Sequence, residues 1–517
     1  MSPEKWVLNM GILLYPQGCF PDKVLLPEQT VEDLQLERLA AAMSYSNYYK
    51  ITAPELNELL TRNGEVIKHR QAVMSDLINN PKLEAALDKL LGCIDGWETR
   101  SGGVRRGLDA MAVGINLEDF SFLDSYISKL DAVYNELCSL ELKSEGLKRL
   151  TAKISDMRRS ERFEGLKKSF EELCAGYASP QKMRLGFNLD KGLKASKLKL
   201  LYMEPYTGEE TDKKLKKRRL MLNQRAIIVN NMLLQRTVSG ISQAISSFVT
   251  RETMELRSIK KDLIFYLSAL KLCRQWEASG LKFCFPVLMP EELKAFNTKG
   301  MFNPLLVING REAIITNDIS FSEGGEILIL TGANQGGKTV FLLSAALTQW
   351  FFQLGLMVPC TEASLSTVSE ILTVFAPSKD SYGKKGLLSE EAGRIAAAVK
   401  AVSGSSLVLF NEPLTSTSPS ETREISLEVI AAFKAAGVRG IWVTHVYELA
   451  SKRGELERLI PWGSKIGSIK IIMKNGENGD ISSFTYKIDR GEPEFNSYAS
   501  EVLRRKGLTL AGAGTKV

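Results

Sequence analysis

Residues Gly332 to Thr339 read Gly-Ala-Asn-Gln-Gly-Gly-Lys-Thr, the pattern G-x-x-x-x-G-K-[ST]. Glycines at this spacing let successive backbone N–H groups curl around phosphate oxygens, and a following helix turns its positive end toward the same anion. The hydrophobic run Ile327–Leu330 enters the loop and the helical run Val340–Gln349 leaves it, which is the context this chemistry needs. Gly332, Ala333, Asn334, Gln335, Gly336, Gly337, Lys338, Thr339 and Val340 are therefore the candidate nucleotide-binding residues. Lys338 is placed to reach the β- and γ-phosphates, and the Thr339 hydroxyl to ligate Mg²⁺.

A nucleotide hydrolase also needs an acidic pair, one carboxylate for the metal and one to polarise the attacking water. The apolar run Leu407–Phe410 has the character of a buried parallel strand, and it ends in Asn411-Glu412-Pro413. Glu412 fits the second role; Asn411 is neutral and a weaker partner for Mg²⁺. Thr339, Asn411 and Glu412 form the candidate metal set. A further short strand, Ile441-Trp442-Val443-Thr444-His445, ends in one of only two histidines in the chain. A lone histidine is commonly a bland core or surface residue, but sites in α/β folds gather at strand carboxyl ends. Glu412, His445 and Lys338 are thus the candidate catalytic residues.

These residues carry a family resemblance. Thr331 to Thr339, Leu407 to Glu412, and Thr444-His445-Val446-Tyr447-Glu448-Leu449 resemble the ATPase domain of the MutS family, the DNA mismatch-repair branch of the ABC-type ATPases. Gly355 to Cys360 resembles the segment between that family's first helix and its signature loop. Thr316-Asn317-Asp318-Ile319 resembles the strand leading into the phosphate loop. Tyr486-Lys487-Ile488 and Ser497-Tyr498-Ala499 resemble the closing hairpin and the terminal helix, and Asp33–Leu36 with Glu65–Leu77 resemble the start of the core domain. The resemblance implies a homodimer with composite ATP sites, ATP and Mg²⁺ as cofactors, and DNA as partner.

The elements that must position these groups divide near residue 290. The chain is long enough, at 517 residues, for two or three domains. Proline is absent between Pro81 and Pro180 and between Pro205 and Pro286, which suits long helices. Leu123, Tyr126/Ile127, Leu130, Val133/Tyr134 and Leu137 recur at three-to-four spacing; so do Leu256, Ile259, Leu263, Tyr266, Leu270 and Cys273. The expected organisation is multidomain: an all-α helical core and lever region over 1–290, then an α/β ABC-type P-loop ATPase domain over 291–517. An ordinary helical bundle with nothing to transmit gives the same periodicity.

Between the helical stretches, Met183–Tyr202 reads as a small β-hairpin excursion, followed by the basic run Lys213–Arg219. From Lys182 to Arg219 there are twelve Lys or Arg and five acids, a surplus of seven that equals the whole chain's net charge of +7. Cationic surface concentrated in one segment is the footprint of phosphate-backbone binding, although charge runs are often only solvated surface. In the resembling family this location is a DNA-touching clamp. Seven scattered cysteines without a C-x-x-C pair point to reduced structural thiols, and neither a leader nor an uncharged apolar stretch of ~18 residues is evident. A cytoplasmic protein without membrane association is expected.

The family pattern is incomplete. Only about thirty residues precede Asp33, leaving no room for the family's N-terminal mismatch reader, so base-wedging mismatch recognition is not expected. The family signature loop S-x-G-x-S-T-F-x-x-E is matched by Ser381 to Glu390, with Lys385 replacing a serine. The adenine-stacking aromatic falls near Ile314, an aliphatic that packs on a base without stacking. With Asn411, these departures favour secure ATP binding and slow hydrolysis. The expected function couples ATP binding to DNA binding in or near repair or recombination; a nucleotide-gated scaffold with negligible hydrolysis is the alternative. A small-molecule kinase fits poorly with so long a helical region.

Overall fold

The computed structural model describes residues 11–19, 22–24, 26–106, 117–161, 163–165, 167–168, 181–189, 195–205, 256, 258–333, 335–376, 386–475 and 481–492. Asn334, Ser381–Lys385, the basic run Lys213–Arg219, the first part of the second helical stretch and Ser497–Ala499 lie outside them. In chain order the helices are α1 (Glu28–Asp33), α2 (Leu36–Met43), α3 (Ala53–Asn57), α4 (Gly64–Asn79), α5 (Pro81–Arg106), α6 (Leu117–Cys138) and α7 (Glu145–Arg159). A hairpin, β1 (Gln181–Leu189) and β2 (Ala195–Pro205), follows, then a helix α8 over 258–278. The remaining helices are α9 (Pro304–Ile308), α10 (Lys338–Gln353), α11 (Leu387–Ala401), α12 (Pro419–Ala436), α13 (Tyr447–Ser451) and α14 (Arg453–Leu459). Helices dominate the N-terminal half, and mixed α/β structure the C-terminal region.

Two compact units emerge, one of Met1–Leu13 with Asn79–Leu263, the other of Leu14–Ile78 with Ile264–Val517. In the first, α7 buries Leu147, Leu150, Ile154 and Met157 at helical spacing, and α6 buries Ile127, Leu130, Val133 and Leu137. The described residues of the first proline-free stretch thus form several helices, with α6 and α7 separated by residues 139–144. The hairpin appears where the alternation predicted it, with Lys182 opposite Glu204, Arg184 opposite Tyr202 and Phe187 opposite Leu198. The second repeat, Leu256 to Cys273, is buried at every named position.

The second unit holds a six-stranded sheet in the order β12-β11-β6-β10-β9-β8. Its strands are β6 (Glu326–Thr331), β8 (Ile371–Phe375), β9 (Leu407–Asn411), β10 (Arg439–Val443), β11 (Lys465–Asn475) and β12 (Ile481–Arg490). All adjacent pairs are parallel except β11–β12. Every residue of β6, β8 and β10 is buried, as expected of parallel strands covered on both faces. On one face Ile329, Phe410, Phe433 and Trp442 share a core, with Phe410 stacked on Trp442 at 4.2 Å.

A smaller sheet runs β3 (Val287–Met289), β7 (Glu362–Ser366), β4 (Phe296–Met301), β5 (Asn317–Ser320). This corrects one expectation. Thr316–Ile319 does not lead into the phosphate loop within one sheet; it contributes to β5, at the edge of the four-stranded sheet. Gly324 and Gly325, at φ 82° and 104°, then turn the chain into β6.

The far end of α10 is anchored within its own unit. Trp350 Nε1 donates to Asn57 Oδ1 at 3.1 Å, and Gln353 Nε2 to the Thr61 carbonyl at 3.3 Å. Arg70, fully buried on α4, donates to the carbonyls of Leu14, Leu59 and Leu354. Gly355 ends the helix at φ 74°, where a Cβ would meet Arg70 Cβ at 2.6 Å. Trp276 of α8 packs edge-on against Phe351, centroids 5.5 Å apart.

The described cysteines Cys19, Cys93, Cys138, Cys273, Cys284 and Cys360 are unbridged, and burial pushes the Cys93 thiol up to about 11. No described helix is long and apolar enough to cross a membrane.

Candidate functional site

β6 is central in its sheet, and its carboxyl end delivers the chain to Gly332. There φ is 145°, and a Cβ would lie 2.8 Å from Ile471 Cδ1. Gly336 is as tightly placed, its added Cβ falling 2.4 Å from the same atom. Gly337 caps α10 at φ 92°, a left-handed conformation that suits glycine. The loop is therefore closed against β11, and α10 begins at Lys338 with its N-terminus in the loop, as the motif predicted.

Lys338 turns back into that loop. Its Nζ donates to the Gly332 carbonyl at 2.9 Å and the Ala333 carbonyl at 3.3 Å, and lies 3.4 Å from Glu412 Oε1. Burial lowers the Lys338 pKa, with the Glu412 carboxylate opposing the shift. Glu412 follows β9 and sits between two basic groups: His445 Nε2 is 2.6 Å from Oε1, and His445 Nδ1 is 3.5 Å from Lys338 Nζ. Parallel pairing of β9 with β10 brings these together, since Val443 is opposite Asn411 and both chains leave the sheet at one level. Glu412 N also donates to the Val443 carbonyl at 3.0 Å. The structure thus gathers Lys338, Glu412 and His445 at one point. β10 itself ends at Val443, so His445 lies just past the strand.

The hydrogen bond from His445, with the nearby Lys338 charge, holds the Glu412 carboxyl below its ordinary value of 4.5 against the opposing effect of burial. A carboxylate depressed in the folded state stabilises the fold above its unfolded pKa, and that contribution fades as pH falls through the folded value. The stability difference between wild type and Glu412→Gln should therefore shrink on acidification below pH 4.5. Urea melts of both proteins from pH 6 to about 3 measure it.

Thr339, the first residue after the lysine, donates its hydroxyl to Asn411 Oδ1 at 3.2 Å. These two side-chain oxygens form a small hard-donor pair beside the loop. Among the described residues no cluster of three or more His, Cys, Asp or Glu side chains could hold a metal unaided. Both are hard oxygen donors of the kind Mg²⁺ takes, but neither is the carboxylate it usually binds, so phosphates and waters would have to supply most of its shell. Glu412, the third member of the predicted metal set, is engaged by His445 and Lys338.

Beside the loop opens a cavity of about 700 Å³, lined by Leu306, Ala313, Ile315, Val340, Phe341 and Tyr486 together with Lys338, Thr339 and Glu412. Its wall includes Ala313 and Ile315, the neighbours of Ile314. Tyr486 is the group that sequence reasoning missed. The β11–β12 pairing shifts register between Ile471 and Met473, leaving Thr485–Lys487 bulged. Tyr486 there takes φ 55°, and its ring approaches the loop, 3.3 Å from a Cβ built on Gly337. Bulges commonly re-aim a side chain beside a site. The hairpin was legible, but nothing in the sequence revealed the register shift.

The stretch that carries this site is similar to known proteins. Residues 328–509 match the family model described as MutS domain V, and residues 62–279 match the MutS2 N-terminal domain. The DNA mismatch repair protein MutS of Chlorobium limicola is 28% identical over 249 residues, 47% of this chain and 27% of that protein. MutS of Caldicellulosiruptor bescii is 30% identical over 203 residues, 38% of this chain and 22% of its own length. MutS protein homolog 4 of Mus musculus is 26% identical over 219 residues, 42% of this chain and 22% of its own. The matched region thus spans roughly a quarter of these curated relatives. The phosphate loop with Lys338, Glu412 and His445 thus lies inside the stretch that matches MutS domain V, a MutS2-type match precedes it, and over these two stretches the chain is similar to the MutS family.

Proposed function

We propose that this chain is a MutS-type ATP-binding protein, built on an ABC-type P-loop domain, that hydrolyses ATP slowly and couples nucleotide state to DNA binding. The carrying observation is the convergence of Lys338, Glu412 and His445 on one another at the mouth of a glycine loop. Lys338 and the loop N–H groups grip the triphosphate; Tyr486 and Ile315 enclose the base. Thr339 and Asn411 hold Mg²⁺, which neutralises phosphate charge when bound. Glu412 orients the attacking water, and His445 senses the γ-phosphate.

Two copies pair face to face so that each nucleotide lies between one phosphate loop and the partner's signature loop, and DNA contacts the basic segment Lys182–Arg219. The anchorage of α10 by Arg70, Asn57 and Trp276 supports the coupling, because a shift at the loop end is carried by a rigid helix to α4 and α8. The test is DNA affinity at fixed salt with and without a slowly hydrolysed ATP analogue. A change of about fivefold or more is expected, typical of a coupling free energy near 1 kcal/mol. Equal affinities would remove the coupling.

One observation favours a second reading, a nucleotide-gated scaffold with negligible turnover: Asn411 presents a neutral oxygen to Thr339. Under the hydrolase reading Asn411→Asp should raise phosphate release at limiting Mg²⁺ about tenfold, since a carboxylate binds the hard cation more tightly than an amide oxygen. Steady-state release across a Mg²⁺ titration measures the gain.

A further inference from the structure

The segment just beyond Glu412 is held in an uncommon backbone conformation. Glu412 and Leu414 have φ values of 51° and 62°, in the left-handed region that non-glycine residues rarely adopt. Such conformations persist only where the surroundings over-determine them. Upstream, Glu412 N is tied to Val443; at the turn, Leu414 is buried and its carbonyl accepts from Thr422 Oγ1 at 2.9 Å. Downstream, the hold comes from a different helix. Glu391 of α11 receives the Thr415 backbone N–H at 3.1 Å and hydroxyl at 2.9 Å on Oε1. Its Oε2 receives the Ser416 N–H at 3.4 Å and the Ser416 hydroxyl.

Glu391 is 2% exposed, and among the described residues no basic side chain forms an ion pair with it. A buried carboxylate is costly unless its oxygens are satisfied, and here four donors from two consecutive residues satisfy them. So complete a commitment to one short segment is more than packing α11 requires.

We propose that Glu391 is the positioning residue of Glu412: by clamping Thr415 and Ser416 it fixes the left-handed turn and keeps the Glu412 carboxylate against His445. Glutamine at 391 turns an amide N–H₂ toward donors, so the clamp is half lost and the turn relaxes. The kinetic part of this inference rests on the reading of Glu412 as the water-orienting carboxylate; the positional part does not.

Two measurements test it on the full chain. The first is NMR of the protein labelled at its two histidines, His69 and His445. In Glu391→Gln the His445 ring resonances should move toward their positions in Glu412→Gln, while those of His69 stay in place. The second is hydrolysis. Glu391→Gln should lower kcat by tenfold to about a hundredfold, the scale expected of a misplaced catalytic group, and leave ATP affinity within about twofold. The double variant Glu391→Gln/Glu412→Gln should be no slower than Glu412→Gln alone. If Glu391→Gln does not fold, Thr415→Val/Ser416→Ala removes the two hydroxyl donors and should shift the same resonances in the same direction. His445 resonances at their wild-type positions in a folded clamp variant overturn the proposal. Absence of hydrolysis by the wild type overturns the functional reading instead, and the NMR result still decides the position of Glu412.

Discussion

Alanine in place of Lys338 should weaken ATP binding by about a hundredfold while leaving the fold intact. The ammonium is buried at the loop and bonded to the Gly332 and Ala333 carbonyls, so it is pre-placed for an incoming phosphate. Hydrogen bonds to charged groups are worth ~1.5–3 kcal/mol each, and 1.4 kcal/mol is tenfold in affinity. Lys338 also sits 3.4 Å from Glu412, so nucleotide entry exchanges that carboxylate for phosphate oxygens. The alanine variant loses both partnerships, and calorimetric titration with Mg·ATP measures the deficit. Unchanged affinity would mean that the loop does not bind a triphosphate.

Glutamine in place of Glu412 should separate binding from turnover. The substitution keeps the shape of the side chain and removes the negative charge that His445 Nε2 approaches at 2.6 Å. ATP affinity should stay within about threefold, because the carboxylate contributes no phosphate contact and repels the nucleotide's charge. Phosphate release at saturating ATP should fall on the order of a hundredfold, the usual cost of one transition-state contact. Equal release by the two proteins would leave binding without catalysis, the scaffold reading.

What the sequence disclosed about the site is local in origin. The loop glycines, the strand before them and the helix after them occupy one continuous stretch, so spacing alone carries the geometry. Asn411-Glu412 and Thr444-His445 were legible because short apolar runs mark parallel strands, whose carboxyl ends meet once they pair in register. The seam from Leu256 to Cys273 was readable for the same reason, since its period shows in any few turns. Tyr486, Glu391 and Arg70 were not legible. Each acts through a partner far away in sequence: Tyr486 through a bulge against Ile472, Glu391 through Thr415 and Ser416, Arg70 through Leu354. Ile314 shows the limit at single-residue scale, because it is flanked by Ala313 and Ile315, which line the cavity.

The bracing of α10 bears on how the protein is to be dissected in the laboratory. An excised fragment meant to retain nucleotide chemistry needs Leu14–Ile78 as well as the stretch from Ile264 onward. Without the early piece, Trp350 loses Asn57, Gln353 loses Thr61, and the turn at Gly355 loses the aliphatic stem of Arg70 packed against it and the guanidinium that bonds the Leu354 carbonyl. Laying bare a single large apolar side chain costs about 1.5–3 kcal/mol, a serious fraction of what holds an ordinary domain together. Such a truncation should aggregate or melt early, and co-expressing the two stretches as separate chains should restore solubility.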